Sequence, residues 1–345
     1  MECVLAVDGG NTKTIALVAT LDGRIVGSGR AGCGDIYNAQ AEGKTSEEAA
    51  FHNIACAVTD ALQSAQAEPD DLVTSAFGMA GADWPEDFAE LQAGIKARGW
   101  GRTHLVQNDA LGVLHAGTVK NMGVSIVCGT GSATGARGPD GRVWHSSFWQ
   151  LDARGSTQLG KKMLYAAYRS ALGIEQPTTL TARILDYFGM SSIEEVLHYW
   201  NSRIYRTTRS LQYIRGLTPL LLDEAEAGDG IAQQIVTQQG QMLGNIAIVA
   251  ARRVGIEGTA FPLVLAGSVL KHPSPMLADA IVERVRTTSP AVRPVRSRFE
   301  PVVGLLFTAL EMAGVTIDEE LLERLVPTLP DAALFETKPT VTYKR

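Results

Sequence analysis

The chain opens with apolar runs separated by short polar turns. Residues 2–8 (ECVLAVD), 14–20 (TIALVAT) and 24–28 (RIVGS) read as three successive strands. The last two are joined by Asp22-Gly23, a pair that tolerates the positive φ angles of a tight hairpin, so an antiparallel meander is predicted. Thr45-Ser46-Glu47-Glu48 then has the spacing of a capping box, in which the threonine hydroxyl and the glutamate carboxylate each take a backbone N–H at a helix start. It predicts a helix to about Ala67. A strand at 73–79, a helix at 85–97, a strand at 103–107 and a helix from Asp109 complete a β-β-β-α-β-α-β-α order, the pattern of a mixed sheet with helices on its faces.

From Val124 the pattern starts again. A buried-type strand, VSIVC, meets GTGS, and a second strand at 132–137, a Pro139-Asp140-Gly141 turn and a short strand at 142–145 follow. No sequence identity accompanies this repeat, so it is a repeat of architecture. Helices predominate over 157–254, broken by turn signals at Gly173, Gly189 and Gly228-Asp229-Gly230. A last apolar strand at 262–266 runs into Gly267-Ser268, and helices are predicted at 275–287, 302–313 and 318–325, before a poorly ordered tail. The expected division is an N-terminal domain over 1–117, a C-terminal domain over 118–315, and a closing helix and tail over 316–345.

A length of 345 residues, 45% of them hydrophobic, suits two domains with sizeable cores. The formal net charge is −6, with acids and bases mixed, which is unlike the basic footprint of a nucleic-acid binder. Five arginines between Arg284 and Arg298 read as a solvated face. No apolar run approaches bilayer length and residues 1–10 lack a signal-peptide pattern, so no membrane partner is expected and the expected location is cytoplasmic. Cys3, Cys33, Cys56 and Cys128 have no CxxC spacing and read as reduced structural thiols.

Three strands end in small-residue turns, at Asp8-Gly9-Gly10-Asn11-Thr12-Lys13, Gly129-Thr130-Gly131-Ser132 and Gly267-Ser268. Glycines let backbone N–H groups approach an anion, and two such turns facing each other would clamp a polyphosphate. Neither turn fits a P-loop or a GxGxxG fingerprint, so a site split between domains is expected. Asp8 is either an Asx-turn acid or a magnesium ligand beside phosphates. Asp109 is either the cap of the following helix or a base at the carboxyl end of a strand, where open α/β sheets bind ligands. Asp35 and Asn38, in the glycine-rich GCGDIYN loop, are either turn residues or ligand contacts.

The order of DGGNTKT at 8–14, NDA at 108–110, GTGS at 129–132, LDARGS at 151–156, LAGSV at 265–269 and EPVVGLLFTAL at 300–310 resembles the sugar kinase/Hsp70/actin superfamily. Within it the chain is most similar to N-acetylglucosamine kinases, grouped with the BadF/BadG/BcrA/BcrD ATPase family. The resemblance implies an α/β fold of two ribonuclease-H-like (actin-like ATPase) domains around a nucleotide and sugar cleft, and an ATP- and Mg2+-dependent amino sugar kinase. It implies Asp8 near the metal, phosphate contacts from Gly9, Gly10, Asn11, Thr12 and Lys13 and from Gly129, Thr130, Gly131 and Ser132, and adenosine contacts from Gly267 and Ser268. Asp109 matches the catalytic base, and the sugar set is Asp35, Asn38, Gly81, Asp109, Thr130 and Asp152. Two stretches depart from the resemblance: Ala153 stands where that family has a glutamate, and Asp35 where N-acetylglucosamine kinases have an asparagine. Partners are the sugar and ATP, with a homodimer as the assembly. A conformational ATPase activator, or a nucleotide-binding protein without turnover, is the alternative; the paired cysteines of iron-sulfur activators are missing, because no cysteine follows Cys128.

Overall fold

The computed structural model of the chain describes residues 1–118, 120–149, 155–205 and 210–336. Among these, ten strands form two five-stranded sheets. The first contains β1 (Cys3–Gly9), β2 (Thr14–Thr20), β3 (Ile25–Ala31), β4 (Leu72–Met79) and β5 (Thr103–Asn108), in the order β3-β2-β1-β4-β5. The short connections from β1 to β2 and from β2 to β3 force antiparallel pairing, whereas β4 and β5 run parallel to β1 because the helices α1 (Ser46–Ala65) and α2 (Pro85–Ala97) carry the chain back. Helix α1 starts where expected, with both halves of the Thr45/Glu48 capping box formed.

The second sheet contains β6 (Gly123–Cys128), β7 (Ser132–Arg137), β8 (Val143–His145), β9 (Pro262–Ala266) and β10 (Arg293–Arg296), in the order β10-β9-β6-β7-β8. This is the first sheet's order again, with β6 in the place of β1 and β9 and β10 in those of β4 and β5. The architectural repeat is therefore complete. Strand β10 lies inside the arginine-rich stretch expected to be only a solvated face. It is an edge strand paired in parallel with β9, with Arg293 and Arg296 exposed. Helix α3 (Asp109–Gly117) joins the sheets, and α4 (Ser156–Ala171), α5 (Leu180–Phe188), α6 (Ile193–Asn201), α7 (Leu211–Glu226), α8 (Gly230–Arg253) and α9 (Met276–Arg286) build the core around the second sheet.

Both faces of the first sheet are covered. Leu5, Val7, Ala16 and Val18 pack under α1, against Ile54, Val58 and Leu62. The alternate residues Val4, Ala6, Ile15 and Leu17 pack against Leu305, Leu306 and Leu310 of α10 (Pro301–Met312) and Leu321 and Leu325 of α11 (Glu319–Leu325). The sequence division assigns α10 to the second domain, but its apolar side chains lie on the first sheet. Gly304 of α10 also sits so close to α3 that a Cβ there would come within 2.1 Å of the Gly112 carbonyl.

The segment after α11 is held on the β2–β3 hairpin. Ile25 N–H donates to Thr328 Oγ1 at 3.0 Å, and the Arg30 guanidinium donates to the carbonyls of Ala333 (3.1 Å) and Leu334 (2.7 Å). The expected poorly ordered tail is thus anchored as far as these residues.

Candidate active site

Strand register sets the floor of the site. Gly9 is level with Met79, and Met79 with Asn108, so β1, β4 and β5 end together and release three loops at one edge of the sheet. In the second sheet Val127 is level with Ala266, which starts the Gly129 and Gly267 turns side by side. The edge formed by parallel strand ends, lined with loops, is where α/β sheets hold ligands.

The first turn is closed by backbone, with Gly10 N–H donating to the Lys13 carbonyl at 3.0 Å, rather than by the Asp8 carboxylate. The second turn is closed by Gly129 N–H donating to the Gly131 carbonyl at 2.9 Å, and the Ser156 N–H donates to the Gly129 carbonyl at 2.7 Å. The two turns meet, since Thr12 Oγ1 lies 3.3 Å from Thr130 Oγ1. Gly267, at φ +98°, lies so close to the Cys128 carbonyl that a Cβ would stand 2.4 Å from its oxygen. A glycine is needed there for the backbone itself. Its neighbour Ser268 holds its hydroxyl 3.7 Å from where a Cβ on Gly129 would be. Lys13 donates its ammonium to the Phe335 carbonyl of the C-terminal segment, and burial lowers its pKa.

The carboxylates are the chemical centre. Asn108, fully buried, is the cap of α3, with its Oδ1 accepting from Ala110 N–H at 3.2 Å. The capping alternative for Asp109 is therefore taken by its neighbour, and Asp109 is the first residue of the helix. Burial lifts the Asp109 carboxyl to about 6, with repulsion from Asp83 and Asp35 adding and the Ala110 N–H opposing. Burial likewise lifts Asp8 to about 7, with repulsion from Asp109 adding and Lys13 opposing.

Asp35 is 3% exposed and accepts from Tyr37 N–H and from Asn38 Nδ2, each at 2.8 Å. Gly81 abuts it, since a Cβ there would meet Asp35 Oδ1 at 2.9 Å. Asp35, Asn38 and Gly81 thus form one wall, and electrostatic repulsion links Asp35 to Asp109. Asp152, the remaining expected sugar residue, lies outside the described residues.

Sequence reasoning passed over Asp83, Asp87 and Trp84, although they stand just beyond the end of β4. Burial lifts Asp83 to about 6, a hydrogen bond from Ser147 opposes this, and Asp35 and Asp87 add repulsion. Asp87 accepts from Tyr37 Oη at 2.8 Å and from Trp84 N–H at 2.7 Å. The Trp84 ring stacks on Phe148, from the segment after β8, with centroids 4.2 Å apart. All four cysteines are free, with Cys3 and Cys128 buried in strands.

The sequence profile of the BadF/BadG/BcrA/BcrD ATPase family matches residues 5–309. The chain belongs to this family. Among characterised relatives of this family member, an N-acetylmuramic acid/N-acetylglucosamine kinase of Clostridium acetobutylicum is 24% identical over 312 residues, covering 90% of this chain and 98% of the relative. An N-acetyl-D-glucosamine kinase of Dictyostelium discoideum is 22% identical, with the same coverage. A solved structure provisionally named an N-acetylglucosamine kinase, from Chromobacterium violaceum, superposes with a TM-score of 0.65 at 20% identity, covering 90% of this chain and 99% of that one. A glucokinase of Streptomyces griseus, crystallised with glucose and AMPPNP, gives 0.56 at 15% identity, covering 89% and 98%. These likenesses are of fold: the BadF/BadG/BcrA/BcrD ATPase described here has the two-domain α/β architecture of the actin-like sugar kinases. Among the described residues no helix is long and apolar enough to cross a membrane.

Proposed function

We propose that this chain is an ATP-dependent kinase that transfers the γ-phosphoryl group to a hydroxyl of an amino sugar, of N-acetylglucosamine or glucosamine type. The observation that carries the reading is the place of Asp109: at the level end of β5, electrostatically coupled to Asp8, on the edge where the two glycine turns meet at Thr12 and Thr130. The curated relatives over 90% of the chain are named as kinases of such sugars.

In this reading the backbone N–H groups of Gly9–Lys13 and Gly129–Ser132 that do not close the turns hold the phosphates, and the Thr12 and Thr130 hydroxyls donate to them. Gly267 and Ser268 lie against adenosine. The wall of Asp35, Asn38 and Gly81, with Thr130 and Asp152, receives the sugar. Asp109 takes the proton from the attacking hydroxyl; its carboxyl at about 6 is ionised at neutral pH yet more basic than an exposed aspartate. Phosphoryl transfer needs positioning and charge neutralisation more than covalent help from the protein.

Asp8 fits a magnesium site, because it offers a hard oxygen donor beside the phosphate turn, and burial together with repulsion from Asp109 disfavours its charged form, a penalty that a cation would relieve. Mg2+ there would neutralise phosphate charge. Four free cysteines suit a reducing compartment, so a cytosolic location belongs to the proposal, as does a homodimer. The deciding experiment is a screen of sugars with MgATP followed by Asp109→Asn. Phosphorylation of an amino sugar that the substitution reduces by about a thousandfold is expected on removal of a general base. Full activity in Asp109→Asn overturns the assignment.

A further inference from the structure

Asn108 does more than cap a helix. Its Oδ1 is committed to Ala110 N–H, and its Nδ2 is 2.7 Å from Ser147 Oγ, 3.3 Å from the Ala82 carbonyl and 3.3 Å from Asp83 Oδ1. Because one end of the amide accepts from α3 and the two N–H groups of the other face only oxygens, Ser147 Oγ nearest, the side chain has a single orientation. Ser147 accepts from Asn108, whose Nδ2 also reaches the Asp83 carboxylate, so one amide joins the serine to the acid.

The members come from different halves of the molecule. Asn108 ends β5 and Asp83 follows β4 of the first sheet, whereas Ser147 follows β8 of the second. The preceding residue, Ser146, is fixed to β7 by a pair of hydrogen bonds with Thr134, each 2.9 Å, so Ser147 moves with the second sheet. Beside this polar bridge the stacked Trp84 and Phe148 rings join the same two segments.

Resting on the reading of Asp109 as the base, we propose that Ser147 is a positioning residue: through Asn108 it fixes the first turn of α3, and so the Asp109 carboxylate, only when the two halves are together. The bridge ties the geometry of the base to closure of the cleft. It acts on the chemical step, whereas the neighbouring Trp84–Phe148 stack supplies apolar contact alone.

Ser147→Ala tests this, with Ser147→Thr as the conservative rescue and Ser147→Cys as a second variant of similar size whose thiol is a weak hydrogen-bonding group. Steady-state kinetics with MgATP and the accepted sugar, and calorimetric binding of ATP, are measured on the full chain. Misplacing a catalytic group by a fraction of an ångström is enough for a loss on the order of tenfold, so Ser147→Ala and Ser147→Cys should lower kcat by about that factor. KM for the sugar and the ATP affinity should stay within about twofold, and Ser147→Thr should recover most of kcat. Wild-type kcat in Ser147→Ala or Ser147→Cys, or a rise in KM with unchanged kcat, overturns the inference. If Asp109→Asn is inactive while the Ser147 variants are normal, only this inference falls; if Asp109→Asn is active, the underlying reading falls.

Discussion

The hydroxyl of Thr12, on the turn after β1, stands 3.3 Å from the hydroxyl of Thr130, on the turn after β6. Two equivalent turns of the two sheets thus face each other directly, and a phosphate entering between them must part this pair. Gly131 offers a clean probe, because a Cβ there would meet nothing within 4 Å in the protein. Gly131→Ala should leave the melting temperature unchanged and raise KM for ATP by about tenfold or more, since the methyl group would occupy space needed by a phosphate. An unchanged KM would remove this turn from the nucleotide site. Gly155→Ala serves as the contrast: its Cβ would lie 2.1 Å from the Gly131 carbonyl and 2.3 Å from that of Gly129, so both stability and KM should suffer.

The pH dependence follows from the raised carboxyls. In the proposed mechanism transfer requires ionised Asp109, so kcat should climb through about pH 6 and level off above it. Asp83→Asn removes one of the repulsions that raise Asp109 and should move the acid limb to lower pH. Stability of the unliganded protein runs the other way. Asp8 at about 7 and Asp109 at about 6 both lie above the 3.8 of an exposed aspartate, so their stabilising protons are fully present below about pH 4 and lost as pH rises through 6 to 7. Melting curves should show this decline, and Asp8→Asn should flatten it.

Asp35, Asp83 and Asp109 repel one another, and Asp87 adds to the repulsion on Asp83, so a negative substituent on the sugar meets an unfavourable field. Like charges at ~8 Å in an effective dielectric of about 20 repel by roughly 2 kcal/mol, a cost that a neutral substituent does not meet. N-acetylmuramic acid, with its carboxylate, should therefore show kcat/KM at least about tenfold below that of N-acetylglucosamine. Glucosamine, cationic at neutral pH, should be accepted, and Asp35→Asn should narrow the gap between the charged sugars. Equal rates for the acidic and neutral sugars would argue that this cluster does not face the substrate.

Most of the strand and helix order was legible in the sequence because apolar period, glycine turns and the Thr45/Glu48 box are local signals. Strand β10 was not, since RPVR carries too little apolar character and its arginines suit a solvated face equally well. The signal that would have found it was architectural: with β6, β7, β8 and β9 matching β1, β2, β3 and β4, a partner for β5 was due after α9. The positions of the glycine turns at strand ends, and of Asp109 between β5 and α3, were legible from local pattern. Asp83 and Ser147 were not, because their roles depend on which loops the strand register brings level, and adjacency across two sheets leaves no spacing in the chain. The destination of α10 was hidden for the same reason.

Leu305 checks that destination. It is fully buried on α10, where its side chain lies 2.8 Å from the Cβ positions that would stand on Gly78 of β4 and Gly112 of α3. Leu305→Ala should lower unfolding free energy by about 2–5 kcal/mol, the usual range for a buried leucine, as read from denaturant midpoints. A loss below about 1 kcal/mol would mean that α10 contributes little to the first sheet.

The covering of β1 and β2 by α10 and α11 also bears on how the protein is made. Val4, Ala6, Ile15 and Leu17 are synthesised long before the side chains that bury them, which reach as far as Leu325. At about 5–20 residues per second the interval is on the order of 15–60 s. The N-terminal sheet therefore waits, with one apolar face uncovered, until α10 and α11 have been made.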